Sequence, residues 1–173
     1  MRLREPGGLY FHPLPAPVRL LETRAGFNGC FAQGTPLIGT GNPNADPNQD
    51  LPVPGRSPIP SPCNSIPASA QVLVGNATSV LPGGGGYLTI YPSGGTRPTV
   101  ASSNYAGNDV INGPFAVKLG ADGKFKIYTL LTTHLVVDIL GYYSEEAVDA
   151  NGAGLLFNPL PEPVRLLETR PGD

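Results

Sequence analysis

Gly8–Gly26 reads GLYFHPLPAPVRLLETRAG, and Gly154–Gly172 reads GLLFNPLPEPVRLLETRPG. The second stretch follows the first after 146 residues, and 15 of its 19 positions are identical. Self-similarity at a fixed period indicates a repeat architecture. A period of 146 residues lets each unit bury its own core, unlike the short units of solenoids. We therefore predict a complete repeat unit at 1–146, a linker at 147–153 and the start of a further unit at 154–173.

The composition indicates an all-β domain. The chain has 23 Gly and 21 Pro, but 40% of its residues are hydrophobic and fall in short runs bounded by turn residues. Such runs are typical of β-strands, and no stretch keeps helical apolar spacing without an interrupting Gly or Pro. We predict a two-sheet β-sandwich, jelly-roll-like or Ig-like, with roughly nine to ten strands and little or no helix.

Three stretches carry most of the strand prediction. His134–Tyr143 (HLVVDILGYY) has apolar residues on both faces, which is typical of a central strand. Val18–Arg24 is a strand with charges on both alternating faces, so any inward charge needs a partner. The preceding His12–Pro17 holds three prolines, and we expect it to be extended but excluded from central pairing.

The Asp-Gly step within Gly120–Gly123 is a strong short hairpin signal. It predicts that Phe115–Leu119 pairs with Lys124–Leu131 across this turn.

Cys30 and Cys63 lie in the irregular stretch 26–67, which we expect to be a long loop. Free cysteines are usually buried in apolar surroundings, whereas an even pair in such loops indicates a disulfide and an oxidising compartment. A bond between the two would close a loop of about 34 residues and stabilise the domain by roughly 3 to 4 kcal/mol. Two free thiols are the alternative.

Asp138 is the single charged residue of the apolar run Leu135–Leu140. Burial raises the pKa of a carboxyl group unless a cation compensates. Arg19 and Arg24 of the opening motif are the candidate cations, so we predict a buried ion pair that fixes strand register. A catalytic acid is the alternative, but no nucleophile, base or second carboxylate stands nearby in the sequence.

Metal and cofactor sites are weakly indicated. Asn and Asp alternate over 42–50, and Asp46 and Asp50 are candidate calcium ligands, but the central Gly and terminal Glu of an EF-hand are missing. A loop in which these side chains cap their own backbone is favoured instead. Two histidines without CxxC or HExxH spacing do not indicate zinc. We expect no cofactor. Asn76-Ala77-Thr78 matches the pattern for N-glycosylation, but it lies within a predicted strand, so we favour a chance match.

The charge content excludes several partners. Only 14% of residues are charged, and the net charge is −2. Binding to nucleic acid or an anionic membrane needs clustered Lys and Arg, which this sequence lacks. No apolar run has the length of a transmembrane helix, so we expect no membrane insertion. Few charges and many small polar residues suit an extracellular β-protein.

Three motifs resemble those of a domain common in large secreted bacterial proteins. Pro17–Arg24 is similar to its opening P-x-R-L-L-D-T-R, Val72–Val80 to its central V-L-N-V-T-x-V, and Val137–Tyr143 to its closing V-D-V-x-G-Y-F. Glu22 stands where the opening motif has Asp, and Tyr143 where the closing motif has Phe. The resemblance implies a β-rich domain at the cell surface, often in tandem or beside wall-associated enzymes. It implies a structural or binding role and carries over no active site.

These observations predict a non-enzymatic, extracellular or cell-surface structural protein. Its units would join head to tail through the repeated PVRLLETR segment into a surface fibre or layer, with further units of the same kind as partners. We expect the second copy to contact another β-unit by strand addition, either its own preceding unit or that of a neighbouring molecule. The residues expected at this contact are Leu155, Phe157, Val164, Leu166, Leu167 and Arg170.

Two alternative functions stay open. A carbohydrate- or cell-wall-binding module would hold a cell-surface glycan on a row of exposed aromatic rings, and the absence of Trp counts against it. Burial of the rings would favour the structural role. A glycosidase needs two carboxylates across a cleft, for which Asp109, Asp122 and Asp138 are the options. The candidate rings are Tyr10, Tyr87, Tyr91, Tyr105, Tyr142 and Tyr143.

Overall fold

Two β-sheets enclose the hydrophobic core in the computed structural model, which describes residues 8–32, 51–55 and 65–156, with the backbone alone for 32 and 51–54. The strands are β1 (Tyr10–Glu22), β2 (Phe31–Ala32), β3 (Leu51–Pro54), β4 (Val72–Val80), β5 (Gly86–Pro92), β6 (Ser103–Tyr105), β7 (Val110–Lys118), β8 (Lys124–Thr129), β9 (His134–Ser144), β10 (Val148–Asp149) and β11 (Gly152–Ala153).

The strand order is β2-β1-β9-β4-β7 in one sheet and β3-β8-β5-β6 in the other, and β10 and β11 form a separate hairpin. Neighbouring strands are antiparallel except β1 and β2, which are parallel. The prediction of an all-β, sandwich-like fold is confirmed for the described residues, whose two sheets hold nine strands. No helix in this part of the chain is long and apolar enough to cross a membrane.

The core lies between the two sheets and takes side chains from both. Leu73 of β4, Val137 of β9 and Phe125 of β8 belong to the same core cluster, and all three are completely buried. Burying one such side chain stabilises the fold by about 1.5–3 kcal/mol. The prediction that His134–Tyr143 forms a central strand is confirmed, because β9 pairs with β1 on one side and β4 on the other.

The predicted hairpin between β7 and β8 is wrong. β7 pairs with β4, whereas β8 pairs with β3 and β5 in the opposite sheet. Gly120–Gly123 still forms a tight turn, in which the N–H of Gly123 donates to the Gly120 carbonyl at 2.9 Å. The turn carries the chain from one sheet to the other, so that Leu119 and Phe125 on its two sides both enter the core.

Two stretches predicted to be irregular contain strands. β2 and β3 interrupt the predicted loop at 26–67, and β10 and β11 occupy the predicted linker at 147–153. The calcium candidates Asp46 and Asp50 lie outside the described residues. No free cysteine is found among the described residues, but Cys63 lies outside them, so its bond to Cys30 stays a prediction.

β1 runs through the prolines of the opening motif, but its pairing with β9 is interrupted there. Pro13 lies opposite Gly141, and the next pair joins Val18 to Ile139. The expected exclusion from central pairing holds between Pro13 and Val18, where prolines lack the N–H groups that a ladder needs, but it is wrong for His12 and Pro13, which pair with β9. The strand therefore arches away from β9 before the RLLETR motif begins.

Candidate functional site

The RLLETR motif of β1 contains a β-bulge at Leu20. The residues on either side, Arg19 and Leu21, lie opposite neighbouring residues of β9, so Leu20 has no partner there. Strict alternation predicts Arg19 and Glu22 on opposite faces of the sheet, but the extra residue brings their side chains together on one face. Both leucines then enter the core, where they are completely buried.

Glu22 is the buried charge of this motif, and none of its side chain is exposed. Arg24 donates from Nε to Oε1 at 2.9 Å, from Nη2 to Oε2 at 2.8 Å and from its backbone nitrogen to Oε1 at 3.0 Å. Arg19 Nη1 adds a contact of 3.3 Å to Oε2. Hydrogen bonds from the Arg24 guanidinium hold the pKa of Glu22 below its usual range.

Arg19 also pairs with Asp138, with Nε 2.9 Å from Oδ1 and Nη2 3.2 Å from Oδ2. The two side chains are 38% and 29% exposed. The prediction of a buried ion pair at Asp138 is therefore wrong in its burial, because Asp138 faces outward, level with Asn76 of β4. The predicted partner Arg24 does not reach Asp138 in the described contacts, since its guanidinium is bound to Glu22.

The last two residues of the motif anchor the end of β1. The N–H of Thr23 donates to the Leu135 carbonyl at 3.1 Å, and its hydroxyl accepts from the Leu135 N–H at 2.8 Å. The Arg24 guanidinium lies over the ring of Phe27, 4.0 Å from its centroid. Each residue of RLLETR thus has a defined contact in the first unit. The identical copy at Arg165–Arg170 lies outside the described residues.

Two open clefts flank Arg19, with volumes of about 440 and 490 Å³. Among the described residues that line them, Asp138 is the one carboxylate, and it is bound to Arg19. The described part of either lining therefore does not bring together the two carboxylates that glycoside hydrolysis requires. The first is lined by Pro15, Ala16, Pro17, Val18, Arg19, Asn28, Gly29, Cys30 and Ser65, and the second by Pro17, Arg19, Asn28, Asn76, Asp138 and Leu140.

The second copy begins against the sheet of the first unit. Leu155, the equivalent of Leu9, forms an antiparallel bridge with Phe11. The Phe11 N–H donates to the Leu155 carbonyl at 3.0 Å, and the Leu155 N–H donates to the Phe11 carbonyl at 2.7 Å. Gly154 lies so close to Tyr10 that an added Cβ would stand 2.5 Å from the Tyr10 Cβ. Leu155 thus contacts its own preceding unit. The other predicted contact residues, Phe157, Val164, Leu166, Leu167 and Arg170, lie outside the described residues.

A buried polar cluster fixes the β10–β11 hairpin to the sandwich. The Tyr142 hydroxyl donates a hydrogen bond to the Asp149 carboxylate. The same hydroxyl accepts a hydrogen bond from Asn151 Nδ2 at 2.9 Å. His12 stacks on the Tyr142 ring, with centroids 5.1 Å apart, and its Nε2 donates to the Glu146 carbonyl at 2.8 Å. The residues predicted as a linker are therefore docked on β1 and β9, which holds Leu155 beside Phe11.

No protein-family model, curated protein or solved structure matches the chain. The resemblance of its motifs to the secreted bacterial domain therefore stays a prediction. No group of three or more His, Cys, Asp or Glu side chains in the described ranges is placed to hold a metal ion. Any indication of function therefore comes from the geometry of the repeated segment and of the hairpin that precedes its second copy.

The tyrosines do not form a row on an open face in the part of the chain described. Tyr91, Tyr105 and Tyr142 are buried, and the other three candidate rings are half-buried. Tyr128 is also buried, with the Arg97 guanidinium 3.7 Å from its ring centroid. Three of the six candidate rings are therefore withdrawn from the surface.

We expect Tyr142 to ionise near pH 12. Burial, with a further contribution from the Asp149 carboxylate, raises its pKa to about 12. Because the folded pKa lies above the unfolded value of about 10, the stability gained from the neutral hydroxyl is complete below pH ~10 and is lost as the pH rises towards 12. A rapid-mixing absorbance titration of the native protein should show this transition. It should vanish in Tyr142→Phe and persist in Tyr143→Phe, and its survival in Tyr142→Phe would contradict the assignment.

Proposed function

We propose that this chain is part of an extracellular structural repeat protein whose units are joined covalently, head to tail along the chain, through the repeated opening segment. Such units would build a fibre or layer at the cell surface, and their partners would be further units of the same kind. The role is mechanical, with no enzymatic reaction.

The bridge between Leu155 and Phe11 is the observation that carries this proposal. It joins Leu155, near the start of the second copy, to β1 of the first unit by two backbone hydrogen bonds. The docked hairpin adds buried hydrogen bonds immediately before it, from Tyr142 to Asp149 and from Asn151 to Tyr142. A flexible connection between independent binding modules needs neither feature.

The clefts and the tyrosines give further support. The residues that the structure describes around the clefts beside Arg19 include no pair of free carboxylates, and half of the candidate sugar-binding rings are buried. The resemblance to the secreted bacterial domain is the reason for placing the protein outside the cell. The low charge content agrees with that location.

Electron microscopy of the native material tests the proposed function. We expect fibres or sheets with a regular repeat, labelled by an antibody raised against the 173-residue chain. Cells that lack the gene provide the control and should show no labelled structures. Labelled material found only as dispersed particles, or only inside the cell, would contradict the proposal.

A further inference from the structure

The chain begins and ends its path through the described unit at the same end of the sandwich. β1 starts at Tyr10, which lies opposite Ser144, the last residue of β9. The hairpin of β10 and β11 follows β9 at this end, and Leu155 then lies beside Phe11. We name this the junction end. The opposite end, where Val80 of β4 lies level with Val110 and His134, is the far end.

The direction of the chain at Leu155 determines where the next unit can lie. The bridge is antiparallel, so the chain at Leu155 runs opposite to β1 and leaves the sandwich at the junction end. In a complete next unit the equivalent of β1 starts at Leu156, which stands 146 residues after Tyr10. A reversal of direction needs a turn of about four residues, and no residue stands between Leu155 and Leu156.

We infer that consecutive units meet at their junction ends and extend from the joint in opposite directions. This inference rests on the tandem arrangement in the proposed function and specifies the contact within it. The surface involved is the junction end, and its partner is the junction end of the next unit in the chain. Units stacked end to end, with the junction end of one on the far end of the other, are excluded by this geometry.

The apolar side chains at the junction end fit this contact. Leu155 and Leu156 are 52% and 43% exposed in the described unit. Leu155 forms the bridge to Phe11 and Leu156 follows it directly. Phe11 is also paired with Tyr143, with ring centroids 5.2 Å apart. The surface therefore continues an existing contact, and the next unit would cover it. Covering apolar surface of this kind stabilises a joint by about 25 cal/mol per Å².

Distances between equivalent residues of two units test the inference. The test uses a two-unit chain. Gly172 is the equivalent of Gly26, so residues 27–153 are appended after residue 172 to complete the second unit with the sequence of the first. Donor and acceptor dyes are coupled to cysteines introduced either at both copies of residue 118 (Lys118→Cys), at the junction end, or at both copies of residue 110 (Val110→Cys), at the far end. Both side chains are exposed, and eight residues of strand, or about 27 Å, separate them within one unit.

The expected result of single-molecule energy transfer is a short, narrow distance between the two Lys118 positions and a distance at least about 30 Å longer between the two Val110 positions. Equal distances would mean that the units are related by translation, and would overturn the inference. Broad distributions at both positions would overturn it too, because the joint would then be flexible. Either outcome leaves the fibre itself to be judged by electron microscopy, so the two failures are distinguishable.

A pair of variants at Leu155 in the same two-unit chain tests the bridge. Leu155→Pro removes the N–H that donates to the Phe11 carbonyl, and Leu155→Ala keeps it. We expect Leu155→Pro to broaden the Lys118 distance distribution and Leu155→Ala to leave it narrow. Narrow distributions in both variants would overturn the bridge as the element that sets the joint. Circular dichroism of both variants checks that the units are folded.

Discussion

Replacing Gly75 with alanine should lower the free energy of unfolding by about 3–5 kcal/mol, the largest effect expected from a single methyl group in this domain. A Cβ at Gly75 would stand 2.2 Å from the carbonyl oxygen of Asp138 and 3.1 Å from the Cα of Ile139. Both are backbone atoms of β9, so no change of side-chain rotamer relieves the clash. β4 and β9 must separate in the middle of the sheet, where β9 has one extra residue at Leu140.

Gly95→Ala is the matched control for this substitution. The nearest atom to an added Cβ is the Pro92 carbonyl oxygen at 3.9 Å, an ordinary contact. We expect a change within about 0.5 kcal/mol, or a slight gain from a less flexible unfolded chain. Urea unfolding followed by circular dichroism measures both variants. A Gly75→Ala protein within about 1 kcal/mol of the wild type would show that the two strands are less tightly paired than described.

The parts of the fold that depend on local pattern could be predicted from the sequence. The apolar run of β9 correctly predicts a central strand, because a strand that is buried on both faces has apolar residues at consecutive positions. The Asp-Gly turn before β8 does not identify the strand partner. Turn chemistry describes a local change of direction, whereas pairing depends on which sheet can bury Leu119 and Phe125. That choice is made by residues distant in the sequence.

The same limit applies to the candidate site. An isolated carboxylate in an apolar strand correctly indicates a cationic partner for Asp138, and Arg19 is that partner. The buried role of Glu22 was missed because the bulge at Leu20 depends on the register with β9. The docking of the hairpin was missed because His12 is 134 residues away from its partner Glu146. The only local signal for Glu22 was its position between two arginines.

Removing the Glu22 carboxylate should be the most damaging loss of a charged group within RLLETR. Glu22→Ala leaves the guanidinium groups of Arg19 and Arg24 without their shared acceptor, and hydrogen bonds to charged groups contribute about 1.5–3 kcal/mol each. Both arginines are partly exposed, at 38% and 27%, so water compensates in part. We expect losses of about 3 kcal/mol for Glu22→Ala and about 2 kcal/mol for Glu22→Gln, which keeps one acceptor oxygen. Asp138→Asn, in the exposed pair, should cost at most about 1 kcal/mol.

The pH dependence separates the charge of Glu22 from its packing. The pKa of Glu22 is lowered in the folded protein, chiefly by the hydrogen bonds from Arg24. The unfolded chain therefore binds this proton first as the pH falls. The stability contributed by the carboxylate is complete above the unfolded pKa of about 4.3 and is lost as the pH drops below it towards the folded value.

The stability difference between wild type and Glu22→Gln should thus be constant at neutral pH and shrink below about pH 4. Because Asp122, whose pKa is also lowered by its hydrogen bond from Ser93, is unchanged in this variant, its titration cancels in the difference. A difference that persists unchanged into strong acid would mean that Glu22 stabilises β1 by its shape alone, without its charge.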